Sequence, residues 1–207
     1  MLKKYQEILV ASNNLGKIKE ITASLQQINI KAVSPLPFKL AEPNETGQTF
    51  AQNSLLKAKY YAQKTKLPAL ADDSGLCILA LQNQPGVHSA RYAIDPQTGQ
   101  KNFSYAFDKI FNDLTKLGFD DNKIAQAYFI CDLCFYDPDT DFTKNFTGRV
   151  DGKISFKPIG DHGFGYDPIF IKEGMTQTFA QLQPDFKHQI SHRALAFEKF
   201  LNWLENL

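Results

Sequence analysis

Glu7 to Ala11 is a short apolar run, the polar string Ser12-Asn13-Asn14-Leu15-Gly16-Lys17 follows it, and Ile18, Ile21, Leu25 and Ile28 then recur at helical spacing. The pattern predicts a strand, a loop and a helix in succession. A second helix is predicted from Thr49 to about Thr65, with Phe50, Ser54, Ala58 and Tyr61 on one face, and Pro68 leads into a strand that reaches Asp72. Phe103, Phe107, Ile110, Leu114 and Leu117 mark a third helix. Ala127 to Tyr136 and Phe142 to Phe146 read as strands, and Ala194, Phe197, Leu201 and Leu204 mark a closing helix. Strands alternating with helices predict an α/β fold. The plainer stretch from about Ile94 to Lys157 reads as a second lobe.

Composition narrows the function classes. With 207 residues and 43% hydrophobic content, the chain can form one large domain or two small lobes around a sizeable core. A net charge of +1 with evenly mixed signs argues against a nucleic-acid binder, which would gather a basic excess on one face. The apolar run Ile8-Leu9-Val10 is too brief for a signal segment or a membrane span, so no membrane partner is expected and the cytoplasm is the default location. Cys77, Cys131 and Cys134 lie in apolar surroundings and read as small buried hydrophobes. Cys131 and Cys134 spell C-x-x-C, but an offset of three along a strand places the two thiols on opposite faces.

The candidate chemistry centres on Ala71-Asp72-Asp73-Ser74-Gly75. Following an apolar run, the pair is expected where a strand ends, with Gly75 turning the chain. Adjacent carboxylates repel unless a cation or a proton separates them, and Mg²⁺ prefers such hard oxygen ligands; a surface turn is the plainer alternative. Glu45, ahead of the second helix, could bring a third carboxylate towards them. Ser12 to Lys17 joins a strand to a helix and so offers backbone N–H groups to a phosphate, although on this stretch alone a capped helix start is the simpler reading. It matches neither the Walker A loop nor the G-x-G-x-x-G fingerprint. Asn53 and Lys57 lie one helical turn apart and form either a polar pair directed at a ligand or part of a solvated face. Gly163-Phe164-Gly165-Tyr166-Asp167-Pro168 could present a flat aromatic face to a purine or pack its rings inward. Ser191 is a candidate N-cap, and His192, Arg193 and the nearby Lys187 offer donors to a base edge or a phosphate. No G-x-S-x-G elbow supports a Ser-His-Asp hydrolase. Asp132, inside a predicted strand, is expected to mark an edge or an interface.

These strings are collinear, and together they resemble the inosine triphosphate pyrophosphatase family, whose members hydrolyse nonstandard purine nucleoside triphosphates to monophosphate and pyrophosphate. The resemblance runs through Ser12-x-Asn14-x-x-Lys17-x-x-Glu20, Glu45-Thr-Gly-x-Thr-Phe50-x-x-Asn53-x-x-x-Lys57-Ala58 and Ala71-Asp72-Asp73-Ser74-Gly75-Leu76. It continues through Pro85-Gly86-x-x-Ser89-Ala90-Arg91-Tyr92, Gly163-Phe164-Gly165-Tyr166-Asp167-Pro168-x-Phe170 and Ile190-Ser191-His192-Arg193. It implies that Ser12, Asn13, Asn14, Leu15, Gly16, Lys17 and Lys57 hold the triphosphate, that Glu45 and Asp73 bind Mg²⁺, and that Asp73 is also the general base. Ser74 would contact substrate and Phe164 would stack on the base. Gly165, Tyr166 and Asp167 would line the pocket, and Lys187, His192 and Arg193 would complete nucleotide recognition. The implied fold is a long mixed central sheet flanked by helices, a single domain over residues 1–207 with two lobes around an active-site cleft, usually in a homodimer. The chain departs from the family pattern in Ala180-Gln181-Leu182, where Glu is usual at the middle position, and in Asp185-Phe186-Lys187, which usually reads Glu-Glu-Lys. A Maf-like nucleotide pyrophosphatase would lack the strings at Phe164 and Ser191, and a non-catalytic nucleotide sensor would not require Glu45, Asp73 and Lys57 together.

Overall fold

Strand β1 (Glu7–Ala11) carries Ile8, Leu9, Val10 and Ala11 in succession, all fully buried. An unbroken apolar run of this kind belongs to a parallel strand covered on both faces. In the computed structural model, which describes residues 4–207, β1 pairs in parallel with β2 (Lys31–Val33) on one side and β3 (Ala69–Ile78) on the other. Helix α1 (Leu15–Gln27) connects β1 to β2, and α2 (Phe50–Thr65) precedes β3. The remaining strands are β4 (Gln84–Pro85), β5 (Gln126–Asp137), β6 (Phe142–Ile154) and β7 (Phe170–Lys172). All seven form one sheet in the order β2-β1-β3-β5-β6-β7, with β4 paired to β3 and β7 antiparallel to β6. The sheet is therefore mixed. Helices α3 (Ser89–Tyr92), α4 (Phe103–Lys116), α5 (Pro184–Ile190) and α6 (His192–Leu204) complete the fold. Among the described residues no helix is long and apolar enough to cross a membrane.

The chain divides into two compact units. The first comprises the chain up to Asp73 with Cys131–Gly148 and Arg193–Leu207, and the second Ser74–Ile130 with Arg149–His192. In the first unit, alternation along the strands builds two cores. Ile8, Val10, Cys131, Leu133 and Phe135 pack with Ile21 and Leu25 of α1 and Phe197 and Phe200 of α6. Leu9, Ala11, Cys134 and Tyr136 pack instead with Ala58, Tyr61 and Ala62 of α2. Cys131 and Cys134 thus fall on opposite faces of β5, as the spacing predicts. In the second unit the core is aromatic: Phe129 meets Phe170 edge-on at 4.6 Å and Phe179 face-on at 5.9 Å.

Four expectations are corrected. Strand β3 does not end at Asp72 and Asp73 but continues to Ile78, because both carboxylates find partners inside the fold and Leu76-Cys77-Ile78 prolongs the buried run. Strand β6 extends well past Phe146, where Phe146, Gly148 and Val150 alternate with exposed polar residues that mask the strand pattern. The second unit begins before Ile94 and leaves Cys131–Gly148 to the first, since β5 and β6 each change unit partway along. Asp132 is 2% exposed on β5, an interior strand between β3 and β6, and so does not mark a sheet edge.

Close approach of β7 to β6 depends on a missing side chain. A Cβ on Gly152 would lie 2.2 Å from the Ile171 carbonyl oxygen and 2.7 Å from Phe170 Cζ. Gly152→Ala should therefore cost about 1–3 kcal/mol as overpacking. Urea denaturation should show a lower midpoint at unchanged slope; an unchanged midpoint would mean that β7 shifts freely to make room.

Candidate active site

The loop leaving β1 is organised by its own side chains. Asn14 caps α1, its Oδ1 accepting from the N–H groups of Gly16 at 2.9 Å and Lys17 at 3.2 Å, while Ser12 Oγ accepts from the Asn14 N–H at 3.1 Å. The capped-start reading therefore holds, and the same N–H groups are the ones a phosphate would seek. Leu15 is 68% exposed. Lys17 turns back, and its Nζ pairs with the Asp72 carboxylate and lies 3.4 Å from the Asp72 carbonyl oxygen.

Successive residues of a strand face opposite ways, so Asp72 and Asp73 enter different surroundings. Asp72 is fully buried and takes Arg193 Nε at 2.7 Å, the Cys131 thiol at 3.0 Å and Lys17. Arg193 also pairs with Glu20 of α1. Burial by itself would raise the Asp72 pKa, but Arg193 and Lys17 outweigh it and hold the carboxyl well below the usual range. Burial, followed by the charge of Asp72, pushes the Cys131 thiol far up, which keeps it a neutral donor. Arg193 is 4% exposed and directs its donors at two carboxylates.

On the other side, Asp73 meets α2. The Thr49 and Gln52 capping box starts this helix and places Asn53 and Lys57 one turn apart on its buried face. Lys57 Nζ lies 3.2 Å from Asp73 Oδ1 and 2.5 Å from Glu45 Oε1, and Asn53 Nδ2 donates to Asp73 Oδ2 at 3.2 Å. Asn53 Oδ1 accepts from the Gly47 N–H at 2.8 Å, which ties the Glu45 segment to the helix. Glycine is needed there because a Cβ would stand 2.6 Å from Asn53 Oδ1. Burial raises the Asp73 pKa, Lys57 and Lys17 opposing it and Glu45 and Asp72 adding to it. Burial would lower Lys57, but Asp73, Glu45 and Asp72 prevail and its pKa is raised.

The second unit arranges the aromatic loop. Gly163 adopts φ +74°, and a Cβ on it would stand 2.1 Å from Asp167 Oδ2. That oxygen accepts from the Phe164 N–H at 2.8 Å and from Lys187 Nζ at 2.5 Å. Lys187 Nζ lies 5.0 Å from the centre of the Phe164 ring, in cation–π range. Tyr166 donates to the Ser89 carbonyl at 2.8 Å and meets Phe103 edge-on at 5.3 Å. Phe164, Ser74 and Gly165 are partly exposed, whereas Tyr166 and Asp167 are buried, Tyr166 directing its hydroxyl at Ser89 and Asp167 its carboxylate at the Phe164 N–H and Lys187. His192 stacks on Phe129 with ring centres 4.7 Å apart. Gln181 caps a short turn through Thr178, and Phe186 is exposed.

Sequence reasoning did not foresee the ion pair of Glu20 with Arg193, the bond of Asn53 to Asp73 or that of Cys131 to Asp72. Glu20 follows Lys17 by three helical positions and so shares its face, a signal that, with its place in the first motif, points to it.

Removing Asp72 leaves Arg193 and Lys17 buried without a shared anion, so Asp72→Asn should cost about 3–5 kcal/mol at neutral pH. A depressed folded pKa contributes stability above the unfolded value of about 3.9 and loses it as pH falls through the folded one. Urea unfolding at pH 7 and pH 3 should therefore show the wild type losing more stability on acidification than the variant. Equal losses would mean that the neighbours do not hold Asp72 ionised.

Known proteins resemble this chain over nearly its whole length. The sequence model of the Ham1 family matches residues 8–203. A protein of Zymomonas mobilis named dITP/XTP pyrophosphatase is 41% identical over 194 residues, covering 94% of this chain and 90% of its own. One of the same name from Gluconobacter oxydans is 39% identical and covers 95% and 89%. Among solved structures, a HAM1 protein from Coxiella burnetii superposes with a TM-score of 0.84 at 37% identity, over 97% of this chain and 99% of the other. The Ham1 protein of Staphylococcus aureus gives 0.80 at 36%, over 97% and 98%. With likeness of this extent in both sequence and fold, the chain belongs to the Ham1 family.

Proposed function

We propose that this protein hydrolyses the nonstandard purine nucleoside triphosphates ITP, dITP and XTP to the monophosphate and pyrophosphate, clearing them from the nucleotide pool. The carrying observation is Lys57 Nζ, held 2.5 Å from Glu45 Oε1 and 3.2 Å from Asp73 Oδ1, a cation set between two carboxylates. The names of the relatives point to two of these, dITP and XTP. We further propose that the working form is a homodimer, as the resemblance of the sequence strings implies, and that it acts in the cytoplasm.

Glu45 and Asp73 offer hard carboxylate oxygens, the donor set that suits Mg²⁺ in a site completed by substrate phosphates. When bound there, Mg²⁺ would neutralise phosphate charge and favour ionisation of the attacking water. Asp73 takes the proton from the water that attacks the α-phosphorus, and a carboxyl whose pKa burial has raised is a better base for it. Lys57 and Lys17, with the polar groups of Ser12, Asn13, Asn14 and Gly16, meet the charge of the departing pyrophosphate. Leu15 contributes its backbone. In the second unit, Phe164 is the stacking platform for the base, with Gly165 and Ser74 beside substrate. Tyr166 and Asp167 serve by holding that loop. The donors of Lys187 and His192 favour the O6 acceptor of a 6-keto purine over the amino group of adenine. Arg193 enters the proposal as the partner of Asp72 instead of as a reader of the base.

Incubation with ITP, XTP, ATP or GTP, each with and without Mg²⁺, should yield monophosphate and pyrophosphate from the first two, little from the others and none without metal. Release of diphosphate and phosphate, or binding without turnover, would refute the reading. Asp73→Asn should lower kcat by about 10²- to 10⁴-fold with the fold intact by circular dichroism. Wild-type turnover by that variant would remove Asp73 as the base. Phe164→Ala should raise KM roughly 5- to 150-fold, the equivalent of a base stack worth about 1–3 kcal/mol, with a smaller change in kcat. An unchanged KM would mean that the ring is not the platform.

A further inference from the structure

Asp132 is a buried carboxylate for which the proposed reaction has no direct use. It is 2% exposed on β5, and among the described residues no Lys, Arg or His lies within ion-pair reach of it. Three neutral donors satisfy it instead. Ser54 Oγ of α2 stands 2.6 Å from Oδ1, Asn145 Nδ2 of β6 2.5 Å from the same oxygen, and Thr147 Oγ1 of β6 2.9 Å from Oδ2. Asn145 Nδ2 also lies 3.1 Å from Ser54 Oγ. An anion buried without a counter-charge is costly, and an apolar residue of similar size would remove that cost. The surrounding packing shows what the carboxylate adds. Cys134 and Tyr136, two and four residues along the same face of β5, pack against Ala58, Tyr61 and Ala62 of α2 through apolar surfaces. Such contacts fix the spacing of helix and sheet but resist sliding and rotation poorly. Hydrogen bonds are directional; Asn53 and Lys57 tie α2 to β3 through Asp73, and Ser54 adds a separate bond from α2 to β5 through Asp132.

Ser54 adjoins Asn53 and lies three residues before Lys57. Asn53 donates to Asp73 and holds Gly47, and Lys57 bridges Asp73 to Glu45. Rotation or sliding of α2 would move both side chains away from Asp73 together. We propose that Asp132 is a positioning residue: by fixing Ser54 it sets the register of α2 against the sheet and so aligns Asn53 and Lys57 with Asp73 and Glu45. The inference rests on the pyrophosphatase reading for its catalytic consequence, although the alignment itself is a property of the free protein. A misplacement of about 1 Å can cost a reaction up to roughly a hundredfold.

The test compares the two sides of the carboxylate. Ser54→Ala removes the bond from α2 to β5, whereas Thr147→Val removes a bond to Asp132 that does not touch α2. Ser54→Ala should lower kcat for ITP about tenfold with KM within about twofold. Thr147→Val should lower Tm by a similar amount and keep kcat within about twofold of wild type. In nucleotide-free protein, the side-chain amide resonances of Asn53 should move in Ser54→Ala and stay in place in Thr147→Val. Asp132→Leu, which removes the acceptor of Ser54 altogether, should behave as Ser54→Ala does and replaces it if that variant fails to fold. Wild-type kcat in Ser54→Ala, or an equal loss of kcat in both variants at matched Tm, would overturn the proposal. If the wild type released no pyrophosphate from ITP, the reaction reading would fall and the Asn53 resonances alone would decide. Unmoved resonances in Ser54→Ala would then reject the positioning role.

Discussion

Two consecutive carboxylates lie inside a strand with almost no access to water, and much of the first unit is arranged around that fact. Because neighbouring strand residues face opposite ways, Asp72 and Asp73 make their direct contacts with different cations, even though Lys17 acts on both at longer range. Asp72 draws Lys17 from α1 and Arg193 from α6, while Asp73 draws Lys57 and Asn53 from α2. Left uncompensated, either ion would cost several kcal/mol to bury. Helices on the two faces of the sheet are therefore held to a single peptide by charge. Hydrophobic packing decides which face a helix covers, and the charges decide which of its residues arrive at the centre.

Much of this was legible in the sequence because periodicity survives burial. The amphipathic spacings marked α1, α2, α4 and α6, and the apolar run marked β1, since each of these elements meets the core along one stripe or one unbroken stretch. Legibility failed where polar residues occupy interior positions. Asp72-Asp73-Ser74-Gly75 has the composition of a turn, and its place within β3 follows from cations that lie far away in sequence, such as Arg193. The same holds for Asp132, which local pattern reads as a misfit and the fold surrounds with Ser54, Asn145 and Thr147. Strand β6 was read short because its outward residues are charged and its buried ones include Gly148.

The candidate site was more legible as a set of strings than as a set of roles. Glu45, Lys57 and Asp73 meet as the resemblance implied, yet Arg193, Tyr166 and Asp167 direct their polar atoms within the protein. A sequence shows that a donor is present but not what already occupies it. Arg193 illustrates the point, since two carboxylates separated from it by most of the chain take up its guanidinium.

The cap on α1 has a consequence for selectivity. Asn14 Oδ1 already accepts from the N–H groups of Gly16 and Lys17, so this loop is closed by an internal surrogate. An arriving oxygen competes with a neutral amide for those donors instead of filling a vacancy. A neutral ligand makes an even exchange there, whereas a charged phosphate oxygen forms hydrogen bonds roughly twice as strong as those it displaces. In the proposed reaction the loop would thereby set a threshold of ligand charge that weak acceptors do not cross.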